Sequence, residues 1–232
     1  MGSALAWGAL AASSLVIGAL LGLARQWPDR AVGLVLAFGA GALVSAVSFE
    51  LAQEGVEVGG GVAVGIGLAV GAFTYWGLAR LLDRHSGGSG AGTALALGEF
   101  LDGIPEQLVL GIGLATGGGV SVALLVAIFV SNLPEAIGSA SQMRAAGRPP
   151  AVIRRLWLAV AAICVLATLG GYAIADTASG ELQGGIDGFA AGALLVMLVD
   201  SMVPEATSKA GSTAGLVTTL GFAVAAGLSS LS

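Results

Sequence analysis

The sequence predicts an all-α, polytopic membrane protein, with eight transmembrane helices forming a single domain over residues 1–232. Three observations carry this. The chain is 56% apolar and only 10% charged, with 39 glycines and a mean hydropathy of +0.94, well outside the range of ordinary soluble domains. The apolar runs are interrupted by short polar breaks. All nine lysines and arginines fall on one side of the arrangement those breaks define. Glycine at this density without a collagen period suits helices packed closely in lipid, where small residues let backbones approach.

With roughly 20 apolar residues per crossing, helices are expected at about 4–24, 31–52, 58–82, 92–116, 120–143, 151–175, 184–206 and 211–231. The first run, from about Ala4 to Ala24, is too long for a signal-peptide core and has no basic stretch before it, so it reads as a retained helix. Arg25-Gln26-Trp27-Pro28-Asp29-Arg30 ends it, Asp83 to Ser89 ends the third, Thr116 to Gly119 the fourth and Arg144 to Pro150 the fifth.

An even number of crossings returns both termini to one side. Arg25 and Arg30 lie in the first connection, Arg80 and Arg84 by the third, Arg144, Arg148, Arg154 and Arg155 by the fifth, and Lys209 in the seventh. The second and sixth connections hold only acids, Glu54, Glu57, Asp176 and Glu181. Bases gather on the cytoplasmic side, so both termini are expected outside it. The single cysteine, Cys164, lies in an apolar run and the single histidine, His85, in a polar loop, so one chain builds neither a disulfide nor a Cys/His zinc cluster.

The informative stretch is Leu97 to Leu110, LGEFLDGIPEQLVL, which sets Glu99, Asp102 and Glu106 in an otherwise apolar fourth helix. Acids in hydrocarbon are costly, and by default they mark function. The pattern returns in the fifth helix as Ser131-Asn132-Leu133-Pro134-Glu135, and a related Pro-Glu occurs in the seventh at Met202-Val203-Pro204-Glu205. Because the fourth and fifth helices run in opposite directions, the two motifs form an inverted pair, as in many midplane substrate sites. Asp102 and Glu106 are four apart on one face, and so are Ser131 and Glu135. Pro105 and Pro134 donate no backbone hydrogen bond, which frees the carbonyls of Leu101 and Val130. Facing each other, the motifs would make an oxygen-rich pocket from Asp102, Glu106, Glu135, Asn132 and Ser131. Every base falls on the cytoplasmic side, so a divalent cation is the simplest counterion. Glu50 in the second helix, Glu99, and Asp200 in the seventh are candidates for the route to that pocket.

These motifs resemble those of the ZIP family of divalent metal transporters. The family has a His-Asn-x-Pro-Glu motif in its fourth helix and His/Gln-Asp/Asn-x-Pro-Glu in its fifth; here the corresponding residues are Asp102 to Glu106 and Ser131 to Glu135. Ser48-Phe49-Glu50-Leu51 and Asp200 to Glu205 are similar to its second- and seventh-helix segments. The resemblance implies eight spans in a 3+2+3 arrangement, a homodimer, and a bundle holding the fourth and fifth helices that moves against a scaffold holding the second and seventh. It implies metal ligation by Glu106, Glu135 and Asp102, with Ser131 in place of His/Gln and Gly103 in place of a ligating Asn.

The expected function is therefore secondary transport of a divalent metal ion as substrate, Zn²⁺, Fe²⁺ or Mn²⁺ with Cd²⁺ as a further candidate, across a bacterial-type inner membrane and into the cytoplasm. The carboxylate at 102 hardens the site toward Mn²⁺, Mg²⁺ or Fe²⁺ relative to an imidazole. No enzymatic activity, no bound cofactor and no nucleic-acid partner is expected, and the chain has no GxxxxGK[ST] nucleotide loop. Two other readings are a carrier of the same fold with an organic or other non-metal cargo, and an intramembrane metal-dependent hydrolase, which would lack the histidines of an HExxH site.

Overall fold

The computed structural model describes residues 1–86, 91–115, 121–175 and 179–230. The side chains at 82, 83, 85, 86, 91–102 and 123 fall outside the described residues. The described residues are almost wholly helical and contain no strand. Helix α1 is Gly2–Ala24, α2 Asp29–Ala46, α3 Glu54–Gly59, α4 Gly61–Ser86, α5 Ala91–Ala115, α6 Val122–Ala145, α7 Pro150–Ala175, α8 Gly180–Met197, α9 Val203–Ala210 and α10 Ala214–Ser229. The predicted fourth and fifth helices are thus α5 and α6. Two pairs are continuous rods: the π-helical segment Val47–Gln53 joins α2 to α3, and Leu198–Met202 joins α8 to α9.

Local chemistry sets the ends. Ser121 and Ser179 cap α6 and α8, their hydroxyls accepting from the amides of Leu124 at 3.1 Å and Leu182 at 3.4 Å. The last carbonyls of α1 are met from elsewhere: Trp27 Nε1 donates to Leu21, Ser141 to Gly22, and the Arg144 guanidinium to Leu23. Gly211, with φ of 63°, ends α9, and the chain turns back there. The packing shows the reversal. Against α2, α9 runs antiparallel, with Gly33 on Lys209 and Gly39 on Met202, whereas α10 runs parallel, with Gly41 on Thr218 and Glu50 reached by Ser229.

Six stretches are long and apolar enough to cross a membrane: Gly2–Ala24, Asp29–Gly59, Gly61–Leu81, Leu124–Ala145, Pro150–Ala175 and Gly180–Ser229. The last has 50 residues and contains the Gly211 turn. In α5 the described apolar part is Gly103–Ala115.

The abundance of glycine has its explanation in the helix seams. Gly67 and Gly71 of α4 lie on the backbone of Gly185 and Phe189 in α8, and Gly188 and Gly192 of α8 lie on Val64 and Leu68, with no room for a Cβ at any of the four. The same device joins α2 to α10 through Gly41 and Gly221, α5 to α7 through Gly111 and Gly171, and α1 to α6 through Gly18 and Gly22.

Two hydrophobic cores result. One gathers Leu36, Leu43, Leu110, Ile128, Leu194 and Met197 from α2, α5, α6 and α8; the other gathers Leu15, Ala136, Met143, Ile153 and Trp157 from α1, α6 and α7. Helix α6 contributes to both. In the contacts between helices, α1, α5, α6 and α7 form one group and α2, α3, α4, α8, α9 and α10 another, joined mainly where α2 lies along α6. Large apolar side chains such as Val62, Phe73, Leu166 and Leu216 face outward, as a lipid-facing surface requires.

Candidate functional site

Helices α5 and α6 carry the site. Both run unbroken through their prolines, Pro105 and Pro134. Glu106 is 1% exposed, and the Ser131 hydroxyl, wholly buried on α6, donates to Glu106 Oε1 at 3.2 Å. The same hydroxyl lies 3.0 Å from the Ile128 carbonyl, so it is shared between the acid and its own helix. One turn along the same face is Glu135, also buried. Asn132 is 1% exposed, and its Nδ2 has no hydrogen-bond partner among the described residues. The structure thus joins Glu106 to Ser131 directly, with Asn132 and Glu135 buried on the adjoining turn of α6.

The other expected site residues are distributed differently. The side chains of Asp102 and Glu99 lie outside the described residues, as does that of His85. Among the described residues no three His, Cys, Asp or Glu side chains stand close enough to hold a metal ion, and Asp102 was the expected third carboxylate. Glu50, in the π-helical segment after α2, accepts a hydrogen bond of 2.5 Å from Ser229 at the end of α10. Asp200 is exposed in the other π-helical segment.

Gly103, where the resemblance anticipated a ligand, is buried against α7: a Cβ built there would lie 2.9 Å from Cys164 Sγ. The missing side chain is what allows α5 and α7 to meet at that level. Next to Glu106, Gln107 is fully buried, and Thr168 of α7 donates to its Oε1 at 2.6 Å. Gln107 was not singled out by the sequence, although an amide directly following an intramembrane acid is a usable signal. Ser139, 2% exposed and one turn beyond Glu135, is a second such residue, and its hydroxyl has no partner among the described residues.

A positive charge also stands near these residues. Lys209 is expected in the seventh connection, next to Glu205 at the helix end. In the structure it pairs with Glu205 at 2.5 Å, and its Nζ lies 3.4 Å from where a Cβ on Gly138 would stand, one turn beyond Glu135 on α6. An ammonium group thus borders the end of the site.

No protein-family model matches the chain. It is similar to a protein of Arabidopsis thaliana named "Putative zinc transporter", with 28% identity over 197 residues, 80% of this chain. The match covers 31% of that protein, so the chain spans about a third of its length.

Proposed function

We propose that this protein is a divergent ZIP-type carrier of a divalent metal cation, with Glu106, Glu135, Ser131 and Asn132, together with Asp102, forming the substrate site. The observation that carries this reading is the buried Glu106–Ser131 contact between two proline-containing membrane helices, with Glu135 on the next turn. Carboxylate, hydroxyl and amide oxygens in that volume suit a hard or borderline cation that sheds water as it enters. The similarity to a protein named as a zinc transporter supports the same reading.

In this reading the substrate is of the zinc, iron or manganese class and passes into the cytoplasm. The chain crosses the bilayer eight times, the Gly180–Ser229 stretch supplying two crossings through its reversal at Gly211. Both termini then lie outside the cytoplasm, because the bases near the odd-numbered connections lie inside it. The α1–α5–α6–α7 group is the moving part, and the seam between α2 and α6 is where it slides.

Reconstitution in vesicles tests the site. Glu106→Gln and Glu135→Gln each keep the shape of the side chain and remove its charge, so each is expected to abolish Zn²⁺ and Mn²⁺ uptake while the protein still inserts and purifies. Uptake by both variants at wild-type rates would sink the proposal.

A further inference from the structure

Asp187 of α8 takes no part in that site. It is 4% exposed and lies seven residues into the helix that starts at Gly180, about 10 Å along it. Gly55 of α3 lies directly against it: a Cβ on Gly55 would be 3.1 Å from Asp187 Cβ and 3.6 Å from Oδ2. Glycine at 55 therefore keeps open the space the carboxylate occupies.

Among the described residues no hydrogen bond reaches Asp187, and the residue preceding the Gly55 that packs on it is a second acid, Glu54. The elements packed around it bring no base to this end. The π-helical segment carries Glu50, α3 carries Glu54 and Glu57, and the first turn of α8 carries Glu181. The described arginines of α4, Arg80 and Arg84, are at that helix's opposite end, and the described acid of α5 is Glu106. An anion so enclosed is costly unless a donor or a cation meets it. A metal ion would need more ligands than are gathered here, since no three candidate side chains cluster among the described residues. A proton taken from water removes the charge instead.

We propose that Asp187, packed against Gly55 of α3, is a proton-binding site separate from the Glu106–Glu135 site and open to the aqueous phase at the α3 and α8 end. Water delivers the proton, an O–H bond forms on the Asp187 carboxylate, and release returns the proton to water; no other bond changes. Its link to transport rests on the proposed function and has a structural route. Asp187, Ala191, Leu194 and Leu198 make a buried stripe along α8 that continues to Met202, whose Cε lies 3.2 Å from the Cβ position of Gly39, itself packed on Ser131. Loading Asp187 thus bears on the seam next to the candidate metal site.

Infrared difference spectra of the full chain in lipid nanodiscs, taken across a pH step, test the site without requiring transport. The wild-type protein should show a protonated-carboxyl band that Asp187→Asn removes and Asp187→Glu restores at a shifted frequency. A band unaltered in Asp187→Asn would overturn the proposal, and so would a wild-type band lost on adding Zn²⁺ at constant pH, which would make Asp187 a metal ligand. In vesicles, Asp187→Asn should abolish the dependence of Zn²⁺ uptake on external pH while uptake persists; an unchanged pH profile would overturn the coupling. Wild-type vesicles that take up no metal would sink the carrier reading and leave the band result intact.

Discussion

At the scale of single residues, the site is defined as much by what surrounds the acids as by the acids. Glu106 is oriented by Ser131 from α6, while its neighbour Gln107 is held from α7 by Thr168. The Gln107 amide is wholly buried, so its oxygen depends on that one hydroxyl. Thr168→Val keeps the shape and removes the donor, which should lower stability by about 1–3 kcal/mol, the usual cost of a buried acceptor left unmet. A fall in thermal midpoint in detergent would register it, and a Gln107→Leu/Thr168→Val double variant should recover much of the loss. The acids and Ser131 were legible in the sequence because polar residues at helical spacing are conspicuous in an apolar run. The Thr168 partnership was not, because 61 residues separate the two side chains and nothing in either local pattern names the other. Gly103 makes the same point in reverse: sequence shows a ligand missing, and only the Cys164 contact shows that a side chain there would separate α5 from α7.

At the scale of elements, the helices were legible and their lengths less so. The second was expected at about 31–52 and is helical over Asp29–Gly59; the seventh was expected at about 184–206, and the helical rod begins at Gly180 and ends with α9 at Ala210. Hydropathy marks where a helix meets lipid, but backbone hydrogen bonding carries the helix past that point into the acidic and polar turns. The π-helical segments around Glu50 and Asp200 left no mark in the apolar pattern either, although such wide turns often accompany functional positions. The seams allow a direct test. Gly41 has no space for a Cβ against Thr218, so Gly41→Leu should push α10 off α2. The expected result is a loss of about 1–3 kcal/mol or more of stability, as for other overpacked positions, read as earlier unfolding in detergent; Gly215→Leu, at a site with open space around it, is the control and should leave the midpoint unchanged.

At the scale of the whole molecule, two groups of helices meet along α2 and α6, and the larger hydrophobic core spans that seam with side chains from both groups. The helix that presents Ser131, Asn132 and Glu135 lies on that seam and contributes to both cores. Sidedness can be measured in vesicles with a membrane-impermeant thiol reagent. Cys164 is fully buried, so in a Cys164→Ala background the introduced thiols alone should react. Gln26→Cys and Ala146→Cys should label from one side, and Gly61→Cys and Glu181→Cys from the other. Labelling of all four from a single side would refute the crossing pattern.

By itself the sequence determined that the chain is a helical membrane protein, where its long apolar stretches lie, and that α5 and α6 carry the unusual polar groups. Those properties follow from the cost of polar groups in lipid, which each residue reports on its own or with its near neighbours in a helix. Only the tertiary structure decided which helix faces meet. It paired Glu106 with Ser131, filled the place beside Gly103 with Cys164, drew Lys209 toward Gly138, and enclosed Asp187 against Gly55. These contacts join residues far apart in the chain, and they are selected by how closely two backbones can approach, a property of pairs of surfaces that neither helix displays alone.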